Sequence, residues 1–543
     1  MHEKNLILVL TSNQEYIKHT DEQKQKKFAP EINSFFDSIS NIYLPLLKMF
    51  ENLERDNVDF KLSLVLSPTT CTLLADSEVQ KQYLDWLDKK LELGKKEFVR
   101  CKDNALLLNN AKFTFEKYQE DKIQFIKYEQ NLLKKFKEYQ KKDYIELLAT
   151  CGTSIFMPFY TDLPEILNAQ VETGINAYKY FFNEVPDGFY LPELGYASGI
   201  EEILYSYGIN YTILDSRSFL FSEVEPKNGI FTPARFENSL AVFGRDFRVD
   251  SELFGEEGYC QNPIYKNSKE DIGFYNDFND LTPCISENSQ RFKTGFSYWN
   301  KNSIDIDDFI ESQNDTDLIY DGEKAFNQVK ADAEDFVNKK MNLLQEAEKN
   351  LSSEQFLNLV CTIDLDRLSA NWSEGISFIE NIFRCGSWQQ INFSQCKKQA
   401  VNIYDLQKIK PYYGSLAGTG YGENLLSNKN SWMMRYVQKA SERMCDLAER
   451  FATDNGLKSR LLNLGAKELM LSQSTTWAKF LDEGIFPEYA EYRFKQSIKD
   501  FTRVFDALGS NTVSTEWLTN LEEEHKIFPW MNYRIFCKKR KNR

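Results

Sequence analysis

The chain opens on an unbroken apolar run, Leu6-Ile7-Leu8-Val9-Leu10, followed by the polar stretch Thr11-Ser12-Asn13-Gln14-Glu15-Tyr16. The run is too short for a signal-peptide core and reads as a strand buried on both faces. Similar apolar runs recur at residues 60–66, stopped by Ser67-Pro68, and at residues 145–150, 211–215 and 356–363. Between them the apolar period is helical: Ile42, Leu44, Leu46, Leu47, Phe50 and Leu53, then most of residues 76–142, 164–182, 200–207 and 324–350. Dense Lys/Glu pairing along residues 117–142 marks a solvated helix face. Strands of parallel type alternating with helices predict an α/β barrel and argue against a sandwich. Residues 216–315 are richer in Asn, Ser, Gly and Asp and read as long loops or a small inserted subdomain. After residues 414–420 the strand pattern stops, and residues 432–508 read as consecutive helices. The expected division is a barrel over residues 1–410 and a helical C-terminal domain over 411–543.

Composition narrows the chemistry. The 42% hydrophobic and 14% aromatic content supports a large core. The 66 basic and 81 acidic residues give a net charge of −15, a surface that repels nucleic acid. The basic cluster Lys538, Lys539, Arg540, Lys541 and Arg543 reads as a solvated tail. No apolar run approaches the roughly 20 residues of a membrane helix, so no membrane partner is expected. Ten cysteines without a C-x-x-C spacing suggest reduced thiols and a cytoplasmic protein. The histidines are three, His2, His19 and His525, too few and too scattered for a His-rich metal site or a Ser-His-Asp triad. No metal or cofactor is expected, and carboxylate chemistry remains.

Two acids stand where barrel enzymes place their chemistry, at the ends of strands. In Asp187-Gly188-Phe189-Tyr190-Leu191-Pro192-Glu193-Leu194-Gly195-Tyr196, a strand through Phe189 and Leu191 should stop at Pro192, which cannot donate to a ladder. Glu193 follows at once, either as a catalytic carboxylate or as a cap of the next helix. The strand over residues 356–363 ends in Asp364, and Asn371-Trp372-Ser373-Glu374-Gly375 introduces a helix near Ile376. Trp432, Trp477 and Trp530 read first as core. Trp299 and Trp372, in polar segments, are open between core and binding surface. Asp250 reads as a loop residue or an extra pocket carboxylate, and Cys151 and Cys361 as buried strand-end thiols.

Taken in order, these segments resemble glycoside hydrolase family 57, and within it the α-1,4-glucan branching enzymes. Asn41-Ile42-Tyr43-Leu44-Pro45-Leu46-Leu47 resembles the family's Tyr-Leu-Pro-Leu helix, and Gly188-Phe189-Tyr190-Leu191-Pro192-Glu193 its Gly-Phe-Trp-Leu-Pro-Glu motif. Gly208-Ile209-Asn210-Tyr211-Thr212 with Asp215 matches the strand that follows. Asp364 with Trp372-Ser373-Glu374-Gly375 matches the segment of the family's acid, and Trp477 and Phe528-Pro529 find counterparts near the end. The resemblance implies an incomplete, TIM-like (β/α)7 barrel and a retaining mechanism. Glu193 would be the nucleophile and Asp364 the acid/base, with carboxyl groups about 5–5.5 Å apart. The implied partner is an α-1,4-glucan of glycogen or starch type, or an oligosaccharide. Transfer to a glucan 6-hydroxyl gives a branch, and transfer to water gives hydrolysis. Substrate contacts are expected from Asn13, Ser154, Tyr196, Asp215, Asp250, Trp299, Asn371, Trp372 and Trp477.

The sequence departs from the family pattern around these positions. The family's His-Ala-His-Leu-Pro-Tyr reads Thr11-Ser12-Asn13-Gln14-Glu15-Tyr16, and the histidine of Thr-His-Gly-Tyr-Ser-Pro falls at Ser154. His-Trp-Trp reads Ala370-Asn371-Trp372, and Val-Trp-Ser reads Val249-Asp250-Ser251. Gly-Ser-Trp reads Gly414-Ser415-Leu416, and Asp-Trp reads Thr476-Trp477. Each hydrogen bond lost to a sugar costs on the order of 1–3 kcal/mol. Two readings follow: an active α-glucan enzyme with a remodelled pocket, or a catalytically lapsed homologue serving as a glucan-binding or regulatory protein. A metal-dependent polysaccharide deacetylase would need histidine ligands that are not in place.

Overall fold

In the computed structural model the described residues are 3–285, 290–303, 316–350, 356–389, 391–400 and 403–539. The opening apolar run forms β1 (Lys4–Ser12), flanked by β2 (Leu62–Leu66) on one side and β8 (Leu357–Asp364) on the other. Both pairings are parallel, with Val9 opposite Ser63 and Leu8 opposite Cys361. β3 (Ile145–Leu148) extends this sheet beside β2. A second sheet carries β4 (Gly188–Tyr190), β5 (Tyr211–Leu214) and β7 (Ala241–Gly244), all parallel, with β6 (Ala234–Arg235) antiparallel at its edge. Parallel bridges Ala149–Phe189 and Arg245–Val360 join the two sheets, so the pairing runs through seven strands and returns to β1. β9 (Asn392–Phe393) pairs alongside the opening residues of β1.

Alternation along the strands sorts two cores. Ile7 and Val9 point inward, to meet Val65, Leu148, Tyr190, Ile213, Phe243 and Val360 inside the ring. Leu6, Leu8 and Leu10 point outward and join the larger core shared with the surrounding helices. Because both faces are covered, β1 is apolar throughout its middle. Glu146 of β3 brings a carboxyl group into the ring. It is buried, and its carboxylate accepts from Ser63 Oγ at 3.0 Å and Tyr211 Oη at 2.5 Å. Burial pushes its pKa up to about 7 against the opposing effects of the Tyr211 bond and the Lys397 charge.

The helices lie where their period placed them, among them Ser77–Arg100, Ala105–Lys127, Pro164–Phe182, Gly322–Asn350 and Gly375–Trp388. The C-terminal region is built of Trp432–Arg450, Leu457–Ser472, Thr475–Glu483, Pro487–Ser510 and Thr515–Glu524. Among the described residues no helix is long and apolar enough to cross a membrane. Two expectations need correction. β4 ends at Tyr190, so Leu191 lies past the strand. Residues 216–315 are not only loops, because they contain β7, one member of the ring; residues 286–289 and 304–315 of that segment lie outside the described set. A four-residue strand is submerged when polarity is averaged over a hundred residues. In the C-terminal basic cluster, Lys539 lies on Tyr207, with Nζ 3.9 Å from the ring centroid and 2.6 Å from Oη. Arg540, Lys541 and Arg543 lie outside the described residues.

Two stability predictions follow from this packing. The helix Pro164–Phe182 meets the end of β3 at Gly174, where an added Cβ would fall 1.7 Å from the Thr150 carbonyl oxygen. Backbone must move to admit it, so Gly174→Ala should lower the unfolding free energy by about 3 kcal/mol, read from denaturation midpoints. An unchanged midpoint would refute this close approach. Native Glu146 keeps its proton up to about pH 7, whereas the unfolded chain releases it near 4.5. Its contribution to stability is therefore full at low pH and falls as pH rises from 4.5 through 7. Glu146→Gln should remove about 3 kcal/mol of that decline, visible in unfolding curves at pH 5 and pH 8.

Candidate active site at the ring mouth

Because the seven strands are parallel, their C-terminal ends share one rim, and the chain places its polar residues there. β1 ends in Ser12, with Asn13 directly after it, and β8 ends in Asp364. Glu193 stands three residues beyond β4, Asp215 directly follows β5, and Arg245 directly follows β7.

Glu193 is held by an unusual backbone. It lies at φ 55° and ψ 16°, and Leu194 follows at φ 47°, both in the left-handed region. A non-glycine residue in that region costs of order 1–3 kcal/mol, and it persists when its surroundings fix it. Here Leu194 N donates to Leu191 O at 2.8 Å, Gly195 N to Pro192 O at 3.0 Å and Leu416 N to Glu193 O at 2.7 Å. Glu193 caps no helix; its side chain bonds the ammonium of Lys479, on the helix Thr475–Glu483.

Asp364 does cap a helix, Leu365–Asn371, accepting from Asp366 N at 2.9 Å and Arg367 N at 3.0 Å. It is exposed at the end of β8, yet the protein atoms around it desolvate its carboxylate. That crowding raises its pKa, and the charge of Glu193 adds to the rise. The Arg367 and Asp366 amides and the Lys479 ammonium oppose it. Asp366 accepts from Asn13 N at 2.6 Å, Ser12 Oγ at 3.0 Å and Gln14 Nε2 at 2.5 Å. Burial, then the charge of Asp364, pushes Asp366 up to about 7. Ser12 also bonds Tyr43 Oη at 2.7 Å, which ties the Leu44–Arg55 helix to the rim. Tyr190 belongs to the ring core near this rim. Burial raises its phenol, Arg245 opposes, and Glu193, Asp364 and Asp250 add to the rise, so all four charges lie near one hydroxyl.

The structure places the remaining expected contact residues at differing depths. Asn13 is half-buried and donates to Glu15 Oε1 at 3.3 Å and Thr476 Oγ1 at 3.4 Å. Ser154 is buried, with its hydroxyl 3.2 Å from Thr475 Oγ1. Asp215 is fully buried, bonded by Arg217 Nε at 2.9 Å and Arg245 Nε at 3.0 Å, and Asp250 pairs with Arg245 Nη1 at 2.6 Å. Tyr196 is buried, its hydroxyl on Glu201 at 3.0 Å and its backbone paired with Gly414. Asn371 is exposed and turned back onto Arg367 O at 2.8 Å. Trp372 is buried against Tyr265 and Phe378, with ring centroids 5.0 and 4.9 Å away. Trp477 is buried, with Nε1 on Leu471 O at 2.8 Å. Trp299 is buried in the inserted segment, with Nε1 3.4 Å from Tyr275 Oη. These three indoles therefore serve packing and offer no open face to the mouth.

Four residues at the mouth escaped the sequence reading: Lys479, Asp366, Glu15 and Arg217. Glu15 is buried, accepts from Ser474 Oγ at 2.5 Å, and burial raises its pKa. Arg217 clamps the loop beside Glu193, bonding Ser415 O at 3.0 Å and also Thr419 O. Gly420 in that loop has φ +124°, and a Cβ there would strike the Arg217 guanidinium. One signal was available for Asp366, an acid two residues after the strand-end acid. A lysine on an amphipathic helix reads as solvated surface, so Lys479 gave none.

Comparison with known proteins places the sequence and the fold. Residues 7–361 match the model for glycosyl hydrolase family 57, and residues 436–536 match that for the C-terminal region of 1,4-alpha-glucan branching enzyme. The 1,4-alpha-glucan branching enzyme TK1436 of Thermococcus kodakarensis is 22% identical over 522 residues, covering 90% of this chain and 72% of the relative. The structure of the alpha-amylase AmyC from Thermotoga maritima superposes with TM-score 0.89 at 27% identity, covering 99% of this chain and 100% of the other. A branching enzyme of this family from Pyrococcus horikoshii shares the fold, with TM-score 0.85, 20% identity and coverage of 99% and 98%. The family match spans well over half of the residues, and the chain therefore belongs to glycoside hydrolase family 57.

Proposed function

We propose that the protein is a retaining α-glucan enzyme acting on α-1,4-glucan of glycogen or starch type, with Glu193 as nucleophile and Asp364 as acid/base. The scaffold is read as an incomplete (β/α)7 barrel over residues 1–410, followed by a helical domain over 411–543. One observation carries the reading. Glu193 and Asp364, 171 positions apart in sequence, lie near enough to feel each other's charge and that of one ammonium, Lys479. Membership of the family and the likeness to an alpha-amylase and to branching enzymes support the choice of an α-glucan as substrate. The ten unpaired cysteines suit the reducing interior of a cell.

The chemistry follows from the two environments. The raised pKa of Asp364 favours the protonated acid that a departing glycosidic oxygen needs. As a Glu193 oxygen bonds to the anomeric carbon, the glycosidic C–O bond breaks and the Asp364 proton moves to the leaving oxygen. In the second half, a glucan hydroxyl or water loses its proton to Asp364 while its oxygen displaces Glu193. Asn13, at the rim beside Asp366, is the best placed of the expected contacts to meet a sugar hydroxyl.

A second reading has its own support. Glu193 is already paired, and Asp364 already caps a helix, so both carboxylates are satisfied without a substrate. A lapsed, glucan-binding protein would look the same in these respects. Incubation with amylose and maltooligosaccharides separates the two, followed by iodine staining, new reducing ends and branch points. Glu193→Gln and Asp364→Asn should each lower turnover about a thousandfold or more. Glucan binding with no turnover in any form would overturn the enzymatic reading.

A further inference from the structure

The helix Thr475–Glu483 is fastened to the rim before its lysine reaches the mouth. Ser474 Oγ donates to Glu15, Thr475 N donates to Ser154 O at 2.6 Å, and Thr476 Oγ1 accepts from Asn13. Asn430 Nδ2 holds the Ala478 carbonyl at 2.9 Å, and Trp477 fills the core on another face. Lys479 lies one turn beyond Thr475 and directly after Ala478, so its ammonium is positioned by a rigid element. Its bond to Glu193 joins side chains only 27% and 17% exposed, too sheltered for solvent to screen the pair fully.

The surrounding charges come from every wall. β8 and its helix bring Asp364 and Asp366, the segment after β1 brings Glu15, and the lysine's own helix brings Glu483. Asp250 and Arg245 act across Tyr190, where Arg245 is committed to Asp215 and Asp250. Several acids thus crowd one mouth, and the cation bonded to Glu193 comes from the C-terminal helices. We propose that Lys479 is a positioning residue that divides charge between the mouth carboxylates, holding Glu193 as the anion so that the proton stays with Asp364. The bond falls on Oε1, which leaves Oε2 to attack. This assignment rests on the reading of Glu193 and Asp364 as nucleophile and acid.

The test uses the full chain with Lys479→Met, Lys479→Gln and Lys479→Arg, each checked for native circular dichroism. Infrared difference titration of each protein against the same protein carrying Glu193→Gln reports the protonated carbonyl band of Glu193 without requiring turnover. In the Met and Gln variants that band should appear about 1 pH unit or more higher than in the parent, and Arg should restore its position. On maltooligosaccharide the acid limb of kcat/KM should move the same way, with kcat down by about tenfold to a hundredfold and KM nearly unchanged. An unmoved band in both neutral variants would overturn the proposal. So would a Met variant more active than the parent at every pH, which would mean that the ammonium merely occupies substrate space. A moved band in a protein without turnover would uphold the charge assignment and remove the enzymatic reading instead.

Discussion

Parallel pairing around seven strands is the constraint from which the rest of the structure follows. A parallel ring sends every strand's C-terminal end to the same rim, so residues hundreds of positions apart become neighbours there. The ring is held at two places by bridges of a single residue pair, Ala149–Phe189 and Arg245–Val360. At the first, Ala149 exchanges backbone bonds with Gly188 and Tyr190, which fixes the start of the segment that turns sharply at Glu193. At the second, the Asp246 amide bonds Val360, which sets the end of β7 beside β8 just below Asp364. The joints that close the ring are also the joints that aim its two acids.

The rim is not complete without the C-terminal helices. Glu15, Ser154 and Asn13 belong to the first and third strands' exits, and each finds a partner in Ser474, Thr475 or Thr476. A buried carboxylate such as Glu15 would keep the longer bond from Asn13 without that hydroxyl, and its desolvation would go largely uncompensated. Further around the rim, Arg217 and the turn at Gly420 hold the 414–422 loop against Glu193, and Ala417 packs with Phe156 and Leu425. Two regions that read as separate domains along the chain are therefore one unit at the site.

Much of this was legible in the residues, and the gaps have physical causes. Apolar runs revealed β1, β2, β3, β5 and β8, because strands buried on both faces need continuous hydrophobicity. Gly188–Tyr190 was legible through Pro192, which limits the strand. β7 was not, since Ala241-Val242-Phe243-Gly244 is short and set among Asn and Ser. Trp299 and Trp372 sit in polar surroundings in sequence but in apolar ones in space. An indole is large enough to reach a core that its neighbours along the chain never touch. Lys479 was invisible for the opposite reason: its helix is amphipathic, and the face a lone helix shows to water is here turned toward an acidic mouth.

Charge arithmetic at the mouth bears on what can enter it. Burying several carboxylates together is unfavourable unless some are neutralised, by protons or by a cation. Both occur: Asp366 takes a proton readily, with a value near 7, and Glu193 takes an ammonium. With Arg245 spent on Asp215 and Asp250, and Arg217 on Asp215 and the 414–422 loop, the described residues of the mouth have no surplus of positive charge to offer an anionic sugar. Like-charge repulsion would turn such a ligand away, and the whole-chain charge of −15 works in the same direction. A neutral glucan meets no such barrier. A ligand without charge leaves the balance among Glu193, Lys479, Arg245, Asp215 and Asp250 as it was.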